Sequence, residues 1–254
     1  MHFAANHEVD KSMKHPHKFY ENNVSNTLRL LDALIKFDVL KIIFSSTSAV
    51  YGNVDIFPTV EETPKNPINP YGKSKSIIED ILIDYDKAYG LKHVALRYFN
   101  AAGASPDLSH GYSQKPANHI VPIVAQKILS GETIEIFGDD FNTKDGTAER
   151  DYIHVYDIAT AHLAALNYLN KESTSNVFNI GANNSNSVLE VIEAFKKITK
   201  KHIKYKYVER RPGDAPKTWA DSKKAKKILK WEPQFDLDGI VKHAFLWEEK
   251  KVDG

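Results

Sequence analysis

The sequence contains no cysteine, which excludes disulfide bonds, thiolate-bound metals and a cysteine nucleophile, and which suits a reducing cytosol. Its charges nearly cancel, with 34 basic and 33 acidic residues, so nothing favours nucleic acid or an anionic membrane surface as the main partner. No apolar run approaches the roughly 20 residues of a transmembrane helix, and the first residues do not read as a signal peptide. We therefore expect a cytoplasmic protein that binds neither nucleic acid nor membrane.

Glycine-rich turns and metal-binding motifs are missing as well. The first of the 12 glycines is Gly52, and no two glycines are separated by a single residue. A dinucleotide pyrophosphate is usually held by such a turn at the start of a helix, and this sequence offers none. His15 and His17 flank a proline, and no two histidines have the spacing of a helical metal site. We expect no bound metal.

The first hundred residues alternate between short apolar runs and longer amphipathic stretches. Residues 40–44 and 93–99 have strand length, and residues 1–5 resemble the end of a buried strand. Apolar residues recur at helical spacing over 18–37 and again over 70–89. Strands that alternate with helices predict a parallel sheet covered on both faces, which is an α/β fold. In such sheets, ligands bind beyond the carboxyl ends of the strands.

After residue 103 the loops lengthen and the elements become mixed. The patterns predict helices over 120–129, 155–169, 187–200, 221–230 and 236–250, and strands over 133–137, 177–180 and 203–208. Ser187 and Glu190 have the spacing of a helix capping box. We therefore predict a sheet domain over residues 1–103 and a smaller mixed α/β lobe over residues 104–254, with one or two segments returning to the sheet.

Tyr71 and Lys75 lie four residues apart at the start of the predicted helix 70–89, so both project from one side of it. An ammonium group lowers the pKa of a neighbouring phenol, which makes this pair a candidate for proton transfer. Thr47 follows the strand at 40–44, so its hydroxyl is expected beside the pair. A hydroxyl and a phenolate can remove the proton of a carbinol while a hydride leaves its carbon. No side chain can accept that hydride, so a nicotinamide is implied.

Several motifs carry a family resemblance. They are residues 44–52 (FSSTSAVYG), 70–75 (PYGKSK), 96–104 (LRYFNAAGA), 145–155 (DGTAERDYIHV) and 210–214 (RRPGD). The first three resemble the extended short-chain dehydrogenase/reductase superfamily. Within it, the last two are similar to the UDP-glucose 4-epimerase family, and the likeness extends over nearly the whole chain. The resemblance implies a Rossmann-like, doubly wound parallel sheet that binds NAD, and a smaller lobe that binds a UDP-sugar.

The resemblance also implies roles for individual residues. Tyr71 takes the proton of the sugar 4-hydroxyl, Lys75 holds the nicotinamide ribose and lowers the pKa of Tyr71, and Thr47 hydrogen-bonds the reacting oxygen. The residues implied to bind the cofactor are Phe3, Ala4, Asn22, Ser45, Tyr71, Lys75, Tyr98 and Phe99. The residues implied to bind the substrate are Thr47, Asn100, Asn118, His119, Arg150, Arg211, Asp214 and Thr218. Core packing and ordinary ion pairs are the alternative interpretations of most of these positions.

The implied substrate is a UDP-hexose. Arg150 and Arg211 are suited to a diphosphate because guanidinium groups make charge-assisted hydrogen bonds to it, and Asp214 is implied to accept from a uridine ribose hydroxyl. The resemblance also implies that the size of residue 218 helps to decide whether an N-acetylated sugar fits. Thr218 is small, so N-acetylated sugars are expected to fit as well. The family forms homodimers through helices equivalent to 18–37 and 70–89. The apolar stripes of these helices allow a homodimer, although they can equally cover the sheet.

One family feature has no counterpart here. The family normally begins with a strand, a Gly-x-x-Gly-x-x-Gly turn and a helix, so the resemblance implies an N-terminally truncated Rossmann domain. Three functions stay open: an NAD-dependent epimerase of UDP-glucose and UDP-galactose, a non-catalytic relative that binds UDP-sugar or only dimerises, and a sugar-nucleotide 4,6-dehydratase. The dehydratase is the least favoured, because Ser48 and Ala49 after Thr47 cannot supply the acid/base pair that dehydration requires.

Overall fold

The computed structural model describes residues 1–211 and 215–253. These residues fall into two compact units. The first unit consists of Met1–Tyr98, Ala161–Ile180 and Asp221–Trp231, and the second of Phe99–Thr160, Gly181–Ala220 and Glu232–Gly254. Two segments from the C-terminal half of the chain therefore belong to the first unit.

The α-helices are α1 (Val9–Lys14), α2 (Pro16–Phe19), α3 (Asn26–Lys36), α4 (Pro70–Tyr89), α5 (Ile120–Ser130), α6 (Val155–Glu172), α7 (Val188–Thr199), α8 (Lys223–Leu229) and α9 (Leu237–Asp253). The strands are β1 (Lys41–Thr47), β2 (Lys92–Tyr98), β3 (Asn100–Ala102), β4 (Ile134–Phe137), β5 (Glu149–Arg150), β6 (Tyr152–His154), β7 (Asn176–Ile180), β8 (Asn186–Ser187), β9 (Tyr205–Val208) and β10 (Lys217–Thr218). A π-helical turn covers Tyr20–Ser25, and a 3₁₀ turn covers Ser48–Val50.

The first unit is built on a parallel sheet with the strand order β1-β2-β7. The register places Ser45 beside Leu96 and Thr47 beside Tyr98, so the carboxyl ends of β1 and β2 lie level. Helices α3 and α4 bury an apolar cluster against one face of this sheet, with Leu31 and Leu82 fully buried within it. Parallel strands joined by helices confirm the predicted α/β fold class.

Helix α4 begins and ends where local chemistry dictates. The Asn69 side chain accepts a hydrogen bond of 2.8 Å from the backbone N–H of Gly72, and Pro70 occupies the first turn, where a missing N–H costs nothing. Gly90 ends the helix at a φ of 73°, a left-handed conformation that glycine adopts without strain. A Cβ on Gly72 would lie 2.4 Å from the Ala49 carbonyl oxygen, so the first turn of α4 packs directly on the 3₁₀ turn.

Among its described residues, the second unit has three small sheets, with the orders β10-β5-β8, β3-β6 and β4-β9. An apolar cluster forms its core, in which side chains of α5, α7 and α9 pack with those of β4. Phe195 and Val241 are fully buried in this cluster. The β5–β8 pair is antiparallel and the other pairs are parallel, so the unit is mixed, as predicted. The capping box of α7 is also confirmed, because Ser187 and Glu190 bond each other's backbone N–H groups at 3.1 Å and 2.8 Å.

One N-terminal expectation was wrong, and a second holds with different bounds. Residues 1–5 do not form a buried strand: His2 makes an isolated parallel bridge to Phe44, and the Phe3 side chain is 59% exposed. The expected helix 18–37 starts earlier, at α2, and includes the π-helical turn. Asn23 in this turn explains the local geometry, because its buried amide accepts from the backbone N of Asn6 at 2.8 Å and donates to its carbonyl at 2.9 Å.

We predict that Asn69→Ala lowers the free energy of unfolding by about 1 kcal/mol, because it leaves the first N–H groups of α4 without a capping acceptor. The measurement is urea unfolding followed by far-UV circular dichroism. Asn53→Ala is the control, since Asn53 is an exposed asparagine before the same helix. Equal stability of the two variants would contradict the role of the cap.

Candidate active site

The first turns of α4 meet the carboxyl end of β1. The Thr47 hydroxyl lies close enough to the Tyr71 phenol to act on its pKa. One turn further along α4, the Lys75 Nζ donates to the backbone oxygen of Ser45 at 2.7 Å and lies 4.7 Å from the centroid of the Phe44 ring. The structure therefore brings together the three residues that the sequence predicted to be catalytic.

Thr47 is held in place by its own backbone neighbourhood. Its Oγ1 accepts from the backbone N of Ala49 at 3.2 Å and so caps the 3₁₀ turn that follows β1. The residue is largely buried at the end of the strand. Because Thr47 is fixed by the strand on one side and by the cap on the other, its hydroxyl is preorganised toward Tyr71.

Burial is the main influence on the pKa values of Tyr71 and Lys75. Burial raises the pKa of the Tyr71 phenol, and the hydrogen bond from Thr47 opposes this rise. Burial also lowers the pKa of Lys75 to about 8, against the opposing charge of Glu79. In this arrangement the Lys75 ammonium donates to the Ser45 carbonyl and desolvation dominates at the phenol, so the lowering of the Tyr71 pKa by Lys75 stays a prediction.

Two of the expected cofactor residues, Phe3 and Tyr98, contact His162, and Tyr98 also contacts a third, Ser45. The Tyr98 hydroxyl donates to the Ser45 Oγ at 3.0 Å and lies 2.7 Å from the Nε2 of His162. The Phe3 ring packs on the His162 ring with a centroid distance of 4.6 Å. His162 is buried on α6, where no sequence signal distinguished it from a core residue.

The other expected cofactor residues are not part of this group. Ala4 is exposed. The Asn22 amide donates to the Asn23 side chain at 3.1 Å. Phe99 is buried and is the first residue of the second unit.

Two residues expected to bind the substrate are neighbours in the second unit. Arg150 on β5 and Thr218 on β10 are register partners in a parallel pair. The Nη1 of Arg150 donates to the Glu149 carbonyl at 2.9 Å, and the Thr218 side chain is half-buried. The sequence separates these two residues widely, and the small sheet brings them together.

Asn100 is tied to the backbone of a buried aspartate. Its Nδ2 donates to the backbone oxygen of Asp151 at 3.0 Å. The Asp151 carboxylate in turn accepts from the backbone N of Ala182 at 2.7 Å and of Ala220 at 3.1 Å. Burial raises the pKa of Asp151 to about 7 despite these hydrogen bonds. No sequence signal distinguished Asp151 from its neighbours, although it is the first residue of the DYIHV motif.

Arg211 follows β9 along the chain. The guanidinium carbon of Arg211, an exposed residue, lies 3.9 Å from the centroid of the Phe137 ring. This is a cation–π contact that leaves the edges of the guanidinium available for hydrogen bonds. Asp214, expected to bind the ribose, lies outside the described residues.

Asn118 and His119 precede α5. The Tyr112 hydroxyl donates to the Asn118 Oδ1 at 2.7 Å, and the Tyr112 ring meets the His119 ring edge-on at 6.0 Å. His119 also lines a cavity of about 390 Å³ within the second unit. The cavity is mainly apolar and aromatic, and its other lining residues include Tyr112, Tyr156 and Trp247. Of the predicted substrate residues that the structure describes, His119 is the one that lines this cavity.

Among the residues that the structure describes, no group of three or more His, Asp or Glu side chains is arranged to hold a metal ion. No helix in the described part of the chain is both long and apolar enough to cross a membrane.

Lys75 provides a pH test of this geometry. Its pKa falls from 10.5 to about 8 on folding, so between these values the unfolded chain holds a proton that the folded chain has lost, and stability rises with pH. We predict that the unfolding free energy of the wild type, minus that of Lys75→Met, rises by about 2.5 kcal/mol between pH 7 and pH 10. Urea unfolding of both proteins at each pH measures this difference. A difference that does not change with pH would contradict the buried position of the ammonium.

The whole chain is similar to known proteins. Residues 1–244 match the family model described as GDP-mannose 4,6 dehydratase. The UDP-glucose 4-epimerase of Streptococcus mutans is 46% identical, over all of this chain and 77% of that protein. A crystal structure of UDP-glucose-4-epimerase from Stenotrophomonas maltophila, with bound NAD and formylated UDP-arabinopyranose, is 34% identical with a TM-score of 0.96, over 99% of this chain and 76% of that one.

The structure of the UDP-Glc/GlcNAc 4-epimerase from Campylobacter jejuni is 44% identical with a TM-score of 0.83, over 98% of this chain and 76% of that one. These proteins share the Rossmann-like fold that the sequence predicted for this chain. The match extends along the whole sequence and includes the strand end and the helix that hold Thr47, Tyr71 and Lys75. The chain therefore belongs to the UDP-glucose 4-epimerase family of the extended short-chain dehydrogenase/reductase superfamily.

Proposed function

We propose that this chain interconverts UDP-glucose and UDP-galactose by NAD-dependent 4-epimerisation through a 4-keto sugar. The observation that carries the proposal is the placement of the Tyr71 phenol beside the Thr47 hydroxyl, with the buried Lys75 ammonium one helical turn later. This set can exchange a proton with a sugar hydroxyl, and family membership supplies the substrate class.

The donor groups around β1 fit the nicotinamide end of the cofactor. The Lys75 ammonium, the Tyr71 phenol and the Tyr98 hydroxyl can hydrogen-bond ribose hydroxyls and a carboxamide, which are the polar groups of that end. Bound NAD supplies the hydride acceptor that no side chain provides. The assignment of residues 1–103 to NAD and of residues 104–254 mainly to the UDP-sugar remains a prediction.

The protein groups divide the proton chemistry between them. Tyr71 accepts the proton of the 4-hydroxyl and later returns it, so it must be able to exist as a phenolate. Burial opposes that charge. Lys75 offsets the burial cost when it is protonated, and a pKa of about 8 keeps it mainly protonated at pH 7. Thr47 stabilises the reacting oxygen through a hydrogen bond, a role for which its fixed hydroxyl is suited.

The second unit offers groups for the nucleotide. We infer that Arg150 and Arg211 bind the diphosphate, because guanidinium groups bond phosphate oxygens in pairs. Asn100, Asn118 and His119 are proposed to hydrogen-bond the same moiety, and Asp214 is proposed to accept from the uridine ribose.

A homodimer is the proposed assembly. Tyr20 in the π-helical turn and Ile83 on α4 leave substantial apolar area exposed. Exposed apolar side chains on neighbouring helices suit an interface between two copies. The expected cytoplasmic location also remains a prediction from the sequence.

Two alternatives remain. A non-catalytic relative would keep the fold but bind no NAD. A sugar-nucleotide 4,6-dehydratase is suggested by the name of the matching family model, but it needs a further acid/base pair after Thr47. Ser48 and Ala49 occupy that place, and the backbone of Ala49 caps Thr47, so the epimerase is favoured.

We predict that Tyr71→Phe lowers kcat for conversion of UDP-galactose to UDP-glucose by about 10²- to 10⁴-fold, because the proton acceptor is lost. The measurements are turnover and the NAD released on denaturation, made on the wild type and the variant. Tyr89→Phe is the control, since Tyr89 is an exposed tyrosine at the end of the same helix. Full activity in Tyr71→Phe would refute its catalytic role. A folded wild type with neither NAD nor turnover would favour the non-catalytic alternative.

Thr218 leads to a substrate prediction. A half-buried threonine leaves more room than a bulky aromatic side chain, and a relative of this chain is named for both UDP-Glc and UDP-GlcNAc. We expect the chain to turn over UDP-N-acetylglucosamine, and Thr218→Tyr to lose that activity while it keeps activity on UDP-glucose. Absence of turnover of the acetylated sugar by an otherwise active wild type would contradict this expectation.

A further inference from the structure

A third residue of the same helical stripe is buried beneath the candidate pair. Glu79 follows Lys75 by one turn of α4, and its side chain is 6% exposed. The Ser46 Oγ donates to the Glu79 Oε1 at 2.6 Å. Arg97 on β2 forms a two-pronged pair with the carboxylate, at 3.0 Å from Nε and 2.7 Å from Nη2. Such fork-shaped pairs fix geometry as well as charge.

The guanidinium of Arg97 has two further partners. Its Nη1 donates to the Tyr51 hydroxyl at 2.8 Å and to the Glu61 carbonyl at 3.1 Å. The Tyr51 hydroxyl donates in turn to the Oδ1 of Asn179 at 2.6 Å. The Glu79–Arg97 ion pair is therefore connected to three strands: to β1 through Ser46, to β2 through Arg97, and to β7 through Tyr51 and Asn179. These contacts hold the Glu79 carboxylate against the sheet.

Three successive turns of α4 contact three consecutive residues of β1. Tyr71 lies beside Thr47, Lys75 donates to the Ser45 carbonyl, and Glu79 accepts from Ser46. Helix residues four and eight apart share one face. The first two contacts lie near one end of the helix. The Glu79 contact lies about 12 Å along the axis from Tyr71, so it resists both rotation and sliding of the helix.

The Glu79 carboxylate also influences Lys75 electrostatically. Burial tends to raise the pKa of Glu79, but hydrogen bonding and charge from Arg97 outweigh burial and hold it below the usual value, so Glu79 is ionised. Its negative charge raises the pKa of Lys75 against desolvation. A buried ammonium close to a sheet carbonyl depends on such a counter-charge to remain protonated.

We infer that Glu79, clamped by Arg97, is a positioning residue for the Tyr71–Lys75 pair: it fixes the third turn of α4 against β1 and supplies a negative charge one turn from the Lys75 ammonium. The inference rests on the proposed function insofar as Tyr71 and Lys75 carry out the chemistry, but the position and protonation of Lys75 can be tested without any substrate.

The test compares Glu79→Gln with Asp80→Asn. Both variants neutralise one carboxylate of α4 and keep its shape. Asp80 is mostly exposed and pairs with Lys65 at 2.6 Å, and Lys65 also lies 3.5 Å from Glu79. The comparison therefore distinguishes two effects: the loss of the buried Glu79 charge, and the loss of any carboxylate beside Lys65.

The first readout is the pKa of Lys75. It is measured from the ¹⁵N NMR signal of the Lys75 Nζ during a pH titration, and the spectrum of Lys75→Met assigns that signal. Other titratable groups of this region are Tyr71 on α4, Tyr98 on β2, His162 on α6 and His2 beside β1, and all are unchanged between the two variants. We expect Glu79→Gln to lower the pKa of Lys75 by about one unit and Asp80→Asn to leave it within about 0.3. A merely structural role for Glu79 would lower stability without this change.

The second readout is epimerisation of UDP-galactose. We expect Glu79→Gln to lower kcat about 10-fold with KM within about 3-fold, because the groups that act on the transition state are displaced and the nucleotide contacts are not. If the wild type has no turnover, the proposed function fails, and the NMR titration alone still decides the inference.

A pKa of Lys75 in folded Glu79→Gln equal to that of the wild type overturns the inference, whatever happens to kcat. So does a shift of the same size in Asp80→Asn. If Glu79→Gln does not fold because Arg97 is left unpaired, the same titration is made on Glu79→Gln/Arg97→Gln, which removes both charges. An unchanged pKa of Lys75 in that double variant likewise overturns the inference.

Discussion

The docking of α4 on the carboxyl end of β1 is the contact on which the candidate active site depends. Gly72 makes this docking possible, because a larger residue at that position would collide with the Ala49 carbonyl. Once the helix is this close, Tyr71 and Lys75 reach the end of the strand. Parallel pairing of β1 with β2 then brings Tyr98 to the same edge. The site is thus a consequence of one close helix–strand approach.

This close approach buries several charged and polar groups, which is costly unless each finds a partner. The pairing of Glu79 with Arg97 meets that requirement beneath the site. Lys75 meets it through the Ser45 carbonyl and through a lowered pKa. Because the environment is desolvated, the charges act strongly on one another, and this is the condition under which a phenol can be made to exchange a proton. The same burial that stabilises the fold therefore sets the chemistry of the site.

Local signals in the sequence were sufficient for most elements. Asn69, Pro70 and Gly90 mark the ends of α4, and Ser187 with Glu190 marks the start of α7, because capping depends on residues a few positions apart. The π-helical turn was not foreseen, since it depends on Asn23 holding the distant Asn6. The exposed segment at residues 1–5 was mistaken for a buried strand, because its apolar composition does not reveal that pairing is limited to His2.

For the site, the spacing of Tyr71 and Lys75 and the position of Thr47 after β1 could be read from the sequence, because the helical repeat and the strand end fix which side chains share a face. The partners of these groups could not. The sequence suggested that Lys75 acts on the phenol of Tyr71, but folding directs its ammonium to Ser45. His162, Asp151 and Glu79 were not singled out, because their roles depend on desolvation and on contacts between distant segments. Periodicity and capping are local properties that the sequence carries by itself, whereas burial, the resulting pKa values and the pairing of remote groups arise only when the chain packs in three dimensions.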